Sequence, residues 1–225
     1  LKMAGEITPA LTRLGGRIEV QPLAILRLHA EYQYFQSFGT FQQLSSFEKS
    51  DVDYSDDALK NPDRGYVTLG ETIELGALLQ AKVGAIAVRN DIKGYRHRIN
   101  LKGYDHYLYN RSLDMLLPNG GWAVTNDLDL IYLTNFGLKL GARYTYTDVN
   151  YADTADEARF SPTHRLGPAI LYSFAEKPTG ALYQGPTLVL LSQWWLQHRY
   201  RAGQSVSQAL PYLVVGIVQK GDFLP

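Results

Sequence analysis

Apolar and polar residues alternate one by one along most of this chain. Leu26, Leu28, Ala30, Tyr32 and Tyr34 occupy every second position, with Arg27, His29, Glu31 and Gln33 between them. The alternation returns at Leu138, Leu140, Ala142, Tyr144 and Tyr146, set against Lys139, Gly141, Arg143, Thr145 and Thr147. A strand turns successive side chains to opposite faces, so a period of two predicts strands with one apolar and one charged face. Nine such segments are read. Residues 5–20 carry Leu14, Ile18 and Val20 against Arg13, Arg17 and Glu19, and residues 24–36 follow. In 65–80, Val67, Leu69, Ile73, Leu75, Ala77 and Leu79 oppose Tyr66, Thr68, Thr72, Glu74 and Gln80. Residues 84–98 set Ile86 and Val88 against Arg89 and Asp91, and 121–133 set Trp122, Val124, Leu128, Leu130 and Tyr132 against Asp127 and Asp129. The last four are 137–149, 164–175 (Leu166, Ile170, Tyr172 and Phe174 against Arg165), 184–200 (Leu188, Leu190, Trp194 and Leu196 against Gln193, Gln197 and Arg199) and 207–221 (Leu213, Val215 and Ile217).

The connections alternate in length. Short turns fall at Gln21-Pro22-Leu23, Ala81–Gly84, Thr134–Gly137 and Glu176–Gly180, and longer polar excursions at about 36–64, 93–120, 150–163 and 200–207. Long strands with ionised groups on one side, joined by short turns at one end and long loops at the other, are what a transmembrane barrel requires. Its apolar residues meet lipid, its polar residues line the lumen, and its tight turns are periplasmic. The expected fold is therefore all-β: one antiparallel outer-membrane β-barrel domain over residues 1–225, of about ten strands (range 8–12). Nine is odd, and bacterial single-chain barrels have even strand counts. The reading is of a mature or trimmed chain whose first strand precedes Leu1 or is supplied separately. Alternatively residues 1–8 form a strand of their own, with Pro9 in a bend or turn.

Composition narrows the picture. No stretch approaches the roughly 18 consecutive apolar residues of a spanning helix. Tyrosine is abundant, 16 residues beside 8 Phe and 3 Trp, which suits aromatic belts at two membrane interfaces. Basic and acidic residues balance at 22 each, so nucleic acid is not an expected partner. With no cysteine, neither a disulfide framework nor a thiolate metal site can form. No metal or cofactor is expected.

The candidate chemistry lies on the charged face. Arg13, Arg17, Arg27, Arg89, Lys139, Arg143, Arg165 and Arg199 would face Glu19, Glu31, Glu74, Asp91, Asp127 and Asp129 across a narrow lumen. Such charges must pair, because an isolated buried charge is very costly. They would plug the lumen or line a narrow, porin-like channel. Two basic-aromatic clusters sit near outer strand ends. From them Lys93, Arg96, Arg98, His198 and Arg201 are candidate lipopolysaccharide contacts, alongside Tyr95, His97 and Tyr200. The acidic run Asp51–Asp57 lacks the glycine and closing glutamate of a calcium loop, and reads as solvated. An enzymatic alternative places His164 and His198 on the apolar parity at the rim of adjacent strands, with Ser161 or Ser192 as nucleophile on an acyl ester. No nucleophile-elbow pattern supports it.

The strand pattern, turn asymmetry and aromatic spacing resemble bacterial outer-membrane β-barrels as a class, over nearly the whole chain. One departure is the end: members of the class finish on an aromatic residue, whereas here Phe223 is followed by Leu224 and Pro225. The resemblance implies location in a Gram-negative outer membrane and contact with its lipid and lipopolysaccharide. The expected role is a non-enzymatic anchor, scaffold or partner platform, with the outer loops 36–64 and 93–120, or an open barrel seam, as the surface for a protein partner.

Overall fold

Alternation of this length leaves the backbone extended, and strands dominate. In the computed structural model, residues 2–40, 44–60, 66–151, 162–174, 185–202 and 210–218 are described. In chain order the elements are β1 (Lys2–Ile7), β2 (Leu11–Leu23), β3 (Leu26–Phe38), β4 (Ser46–Phe47), α1 (Asp56–Leu59), β5 (Val67–Val83), β6 (Ile86–Ile99), β7 (Tyr107–Asn110), β8 (Met115–Pro118), β9 (Trp122–Leu133), β10 (Leu138–Val149), β11 (Thr163–Ser173), β12 (Thr187–Gln197) and β13 (Tyr212–Val218). Ten strands form one sheet in the order β1-β2-β3-β5-β6-β9-β10-β11-β12-β13, and β4, β7 and β8 form a second sheet of three. The order of the large sheet has β1 and β13 as its ends. No described helix is long and apolar enough to cross a membrane.

The segment 5–20 is two strands, as in the alternative that makes residues 1–8 a strand of their own with a turn at Pro9. Proline lacks an N–H and fixes its φ, and at Pro9 the chain reverses. The Thr8 hydroxyl holds the turn, accepting from the amides of Ala10 (3.3 Å) and Leu11 (3.1 Å). β1 then pairs antiparallel with β2, from Lys2 opposite Arg17 to Ile7 opposite Thr12. The next turn is also displaced from Gln21–Leu23: β2 runs on to Leu23, which faces Leu26 across Ala24 and Ile25, and the register shifts between Val20 and Leu23, where Pro22 has no N–H to give. Strict alternation of loop lengths does not hold at the start of the chain, where residues 8–10 make a short link at the end carrying the long excursions. The turn read at Glu176–Gly180 lies outside the described residues.

The chain divides into two compact units, each taken by itself. The first comprises Leu1–Leu78, Asp91–Asn126 and Thr147–Pro162. In its strands Leu14 is 58% exposed, and Ile18, Val20, Tyr32, Tyr34, Val67, Leu69, Leu75, Trp122 and Val124 are exposed with it. Arg17, Glu19, Glu31 and Glu74, from the alternate positions, are half-buried. This reverses the polarity of a water-soluble sandwich, which would bury the apolar set. The buried apolar core of this unit lies in its excursions. Leu44, Phe47 and Tyr54 pack with Tyr107, Leu108, Tyr109, Met115, Leu116 and Leu117, all buried. The excursions read as two separate loops are thus joined: Ser46 and Phe47 of β4 face Leu108 and Tyr107 of β7, and β7 returns as β8. Tyr151 hydroxyl donates to the Leu116 carbonyl at 2.7 Å, and Tyr66 hydroxyl to Ser46 Oγ at 2.9 Å.

The second unit comprises Leu79–Asn90, Asp127–Tyr146 and Thr163–Pro225. Its polarity is the same. Leu130, Tyr132, Leu166, Ile170, Leu188, Leu190, Trp194, Leu213, Val215 and Ile217 are exposed, while Asp129, Thr145, Arg165 and Gln193 are buried. The face assigned to each of these residues from alternation is the face observed. Close approach on the polar side is made through glycine. A Cβ at Gly15 would lie 1.9 Å from the Tyr32 carbonyl oxygen, and one at Gly167 would lie 1.8 Å from that of Ser192. Neighbouring strands bend into the polar face at both places, and any side chain would force them apart.

Leu116 is wholly buried, so Leu116→Ala should cost about 2–5 kcal/mol locally. Amide exchange should accelerate through β7 and β8 while β2 and β3 keep their protection. Unchanged exchange in β7 and β8 would contradict an apolar core in the excursions.

Candidate functional site

Charges on the polar face form two networks, one in each unit. In the first, strand register sets Arg17 directly opposite Glu31, and Glu19 opposite His29. Arg17 reaches Glu31 at 3.3 Å, Glu19 at 3.6 Å and Glu74 at 3.9 Å. Arg27 Nε lies 3.4 Å from Glu19, and His29 Nε2 meets Glu74 at 2.8 Å. Arg13 lies on the same face with its guanidinium 5.7 Å from the Phe35 ring centroid. Three arginines therefore balance three glutamates. This matching is what desolvated ions require, since each uncompensated one is strongly penalised.

Above this network lies a cavity of about 230 Å³. Its walls are Arg13 of β2, Glu31 of β3, Thr72 and Glu74 of β5 and His97 of β6. Its remaining wall is the tip of the β7–β8 hairpin, through Asn110, Ser112 and Leu113. The same excursion that holds the apolar core thus sets its polar tip against the charged strands. Thr72 Oγ1 and His97 Nδ1 are 2.8 Å apart. His97 Nε2 is buried without a hydrogen-bond partner among the described residues.

In the second unit the hub is Asp129, 2% exposed. Arg143 grips it with two parallel bonds, Nε to Oδ1 at 2.6 Å and Nη2 to Oδ2 at 2.8 Å. Arg89 Nη1 adds a third contact at 3.3 Å. Asp127 accepts from Thr145 Oγ1 at 2.6 Å and lies 3.8 Å from Arg143 Nη1. Gln193 reaches across to Thr145 Oγ1 at 2.9 Å and to the Arg143 carbonyl at 3.3 Å. The two-toothed geometry is the strong form of an Arg–carboxylate contact. Arg165 sits over the rings of Trp195 (4.8 Å) and Tyr212 (4.3 Å), two cation–π contacts on the polar face. Lys139 donates to Ser173 Oγ at 3.3 Å.

Several residues read as one group are separated. Lys93 shares the polar face with buried Asp91 and pairs with it at 3.4 Å. Arg96 and Arg98 lie on the apolar face of the same strand, so these three cations do not form a single rim cluster. Arg96 Nε donates to the Gly120 carbonyl at 2.8 Å. Arg199 lies beyond the end of β12 with its guanidinium 5.1 Å from the Tyr200 ring centroid, outside the strand networks, and Arg201 is in the same turn. The two histidines are also parted. His164 keeps the apolar parity, touching the rings of Tyr144 and Tyr146 and bonding the Tyr144 hydroxyl. β12 ends at Gln197, so the parity expected for His198 does not carry over. His198 is buried with its ring 4.4 Å from that of Trp195, and its Nδ1 accepts the Tyr200 amide at 3.0 Å. Trp195 belongs to the Arg165 side of the strand, so the rim pair His164/His198 is not assembled. Ser161 and Phe223 lie outside the described residues. The acidic run holds its own turn. Asp53 accepts the Ser55 amide, and Asp57 bonds Lys60 at 2.7 Å, raising the pKa of that exposed lysine.

No family model, curated protein or solved structure matches this chain. Among the described residues no group of acidic, histidine or cysteine side chains could hold a metal ion. What the networks can do chemically is neutralise and brace: β2, β3, β5 and β6 in the first unit, and β9 to β12 in the second, each give a side chain to a hydrogen-bonded or ionic contact on the polar face.

Replacing Asp129 by alanine leaves two guanidinium groups facing one another over a buried site. The cost should be about 3 kcal/mol, toward the low end for a broken buried pair because both arginines are partly exposed. Asp57→Ala, at a fully exposed pair, should leave stability essentially unchanged. Urea unfolding followed by tryptophan fluorescence separates them, and equal effects would contradict a structural network centred on Asp129.

Proposed function

We propose that the ten-stranded sheet closes into a transmembrane barrel of a Gram-negative outer membrane, acting as a plugged, non-enzymatic platform. The observation that carries this reading is the polarity of the strands. Large apolar side chains stand exposed along them, while the opposite face holds neutralised ion networks. In water such a surface would aggregate; against lipid it is the favourable arrangement. Closure is supported by the strand count, since ten antiparallel strands leave β1 and β13 antiparallel to each other, as a closing pair needs. It is supported too by Gly15 and Gly167, where strands crowd together on the polar side, as the concave face of a curved sheet demands.

A plug accounts for the polar face better than an open channel. The Arg17 and Asp129 networks tie neighbouring strands together, and the β7–β8 tip occupies the side of the polar cavity that the strands leave open. The packed excursions 44–60 and 100–121 then make an ordered surface beyond the strands, with its own core. Such a surface suits a protein partner or an anchoring role.

In planar bilayers the folded protein should show no steady conductance. Replacing Tyr109–Leu116 by a short Gly/Ser turn should produce salt-dependent openings, because it removes the tip from the cavity. Steady openings in the unaltered protein would overturn the plug in favour of a narrow channel lined by the same charges.

A further inference from the structure

The apolar column of β5 reads Val67, Leu69, Glu71, Ile73, Leu75, Ala77, Leu79, a run of apolar side chains broken by one carboxylate. The alternation does not single out Glu71, because its neighbours two residues away on both sides are apolar. Its Oε2 accepts the Tyr32 hydroxyl at 2.9 Å, and its Oε1 lies 4.0 Å from Arg98 Nη1, beyond hydrogen-bond length. The Arg98 side chain is 58% exposed and that of Glu71 34%. The three residues border a notch of about 550 Å³ on the apolar face, together with Tyr34, Asn100 and Asn119.

The base of the notch is fixed by backbone contacts. Asn119 bonds both the amide (2.9 Å) and the carbonyl (2.8 Å) of Ile99, and the Asn100 amide donates to Leu69 at 3.0 Å. Snorkelling explains an arginine on a lipid-facing strand, since its long stem carries the charge toward water. It does not explain a glutamate held between Leu69 and Ile73. A charge on the lipid face is penalised more the deeper it lies, and intramembrane ionisable groups are functional candidates by default. Arg98 offers guanidinium donors suited to a phosphate. Glu71 offers an acceptor for an adjacent hydroxyl or ammonium, beside the rings of Tyr32 and Tyr34.

We propose that this notch binds a phosphorylated lipid headgroup carrying a hydrogen-bond donor, with phosphate on Arg98 and the donor on Glu71. The inference rests on the membrane reading above. Phosphatidylethanolamine and the phosphorylated sugar headgroup of lipopolysaccharide both have this chemistry; phosphatidylcholine has the phosphate without the donor.

The full chain is folded into phosphatidylcholine vesicles containing either phosphatidylethanolamine or lipopolysaccharide, then extracted in mild detergent and its retained lipid weighed by native mass spectrometry. One of the two donor-bearing lipids should be kept in preference to phosphatidylcholine, which names the source. R98Q and E71Q should each lower retention about tenfold, the loss of one charge-assisted contact. R98K should keep part of it, and K82Q, at the exposed end of β5, all of it. A heat-modifiable band on gels confirms that each variant is folded. Undiminished retention by folded R98Q and E71Q, or equal retention of phosphatidylcholine, overturns the headgroup site alone. Failure of the unaltered chain to form a heat-modifiable, vesicle-inserted species overturns the membrane reading beneath it.

Discussion

Charges removed from water must be neutralised by one another, and the register of the sheet follows from that requirement. Arg17 stands opposite Glu31 in the β2–β3 ladder, and Asp129 is gripped by Arg143 through two bonds. A slip of one residue would carry each ion to the apolar face and each leucine to the charged one. The ion pairs need not add net stability to do this, since desolvation offsets much of their attraction. Their effect is to exclude other pairings. The opposite side carries no such constraint, and its exposed residues are correspondingly Leu-, Val-, Ile- and Tyr-rich.

The apolar core of the first unit is consequently displaced. Its large-sheet strands spend their apolar residues outward, so the residues that collapse together are in the connections. β4, β7 and β8 gather Phe47, Tyr107, Leu108, Leu116 and Leu117 into a small packed body. That body has a polar tip, and the tip meets the charged strands around Arg13, Thr72 and His97. The joined excursions thereby stabilise themselves and wall the polar cavity on one side. The functional reading as a plugged platform depends on both properties of the same segment.

Strand faces were legible in the sequence because a period of two is a strong signal over a dozen residues. From Leu166 to Phe174 and from Leu188 to Leu196 the exposed residues are those read as outward. Shorter or interrupted signals failed for physical reasons. Tyr107–Asn110 and Met115–Pro118 are four-residue strands buried on both faces, so they show no alternation and were read as loop. The turn at Pro9 lies within a segment of continuous alternation, so the pattern leaves one long strand and two short ones both open, and only the pairing decides for two. His198 was placed by extending the parity of β12 past its last residue, and Lys93 by its neighbours in sequence instead of by its face. Glu71 was missed because a single carboxylate hardly disturbs an apolar column.

The central claim is that the apolar faces of these strands meet lipid. The chain has no cysteine, so single cysteines along β12 can carry a fluorophore without background. Labels at 188, 190, 194 and 196 should be quenched by a lipid-dissolved quencher, and those at 189, 191, 193 and 195 should not. If the period-two pattern is absent, or a water-soluble quencher reaches the first set as readily as the lipid-dissolved one, the strands do not face a membrane.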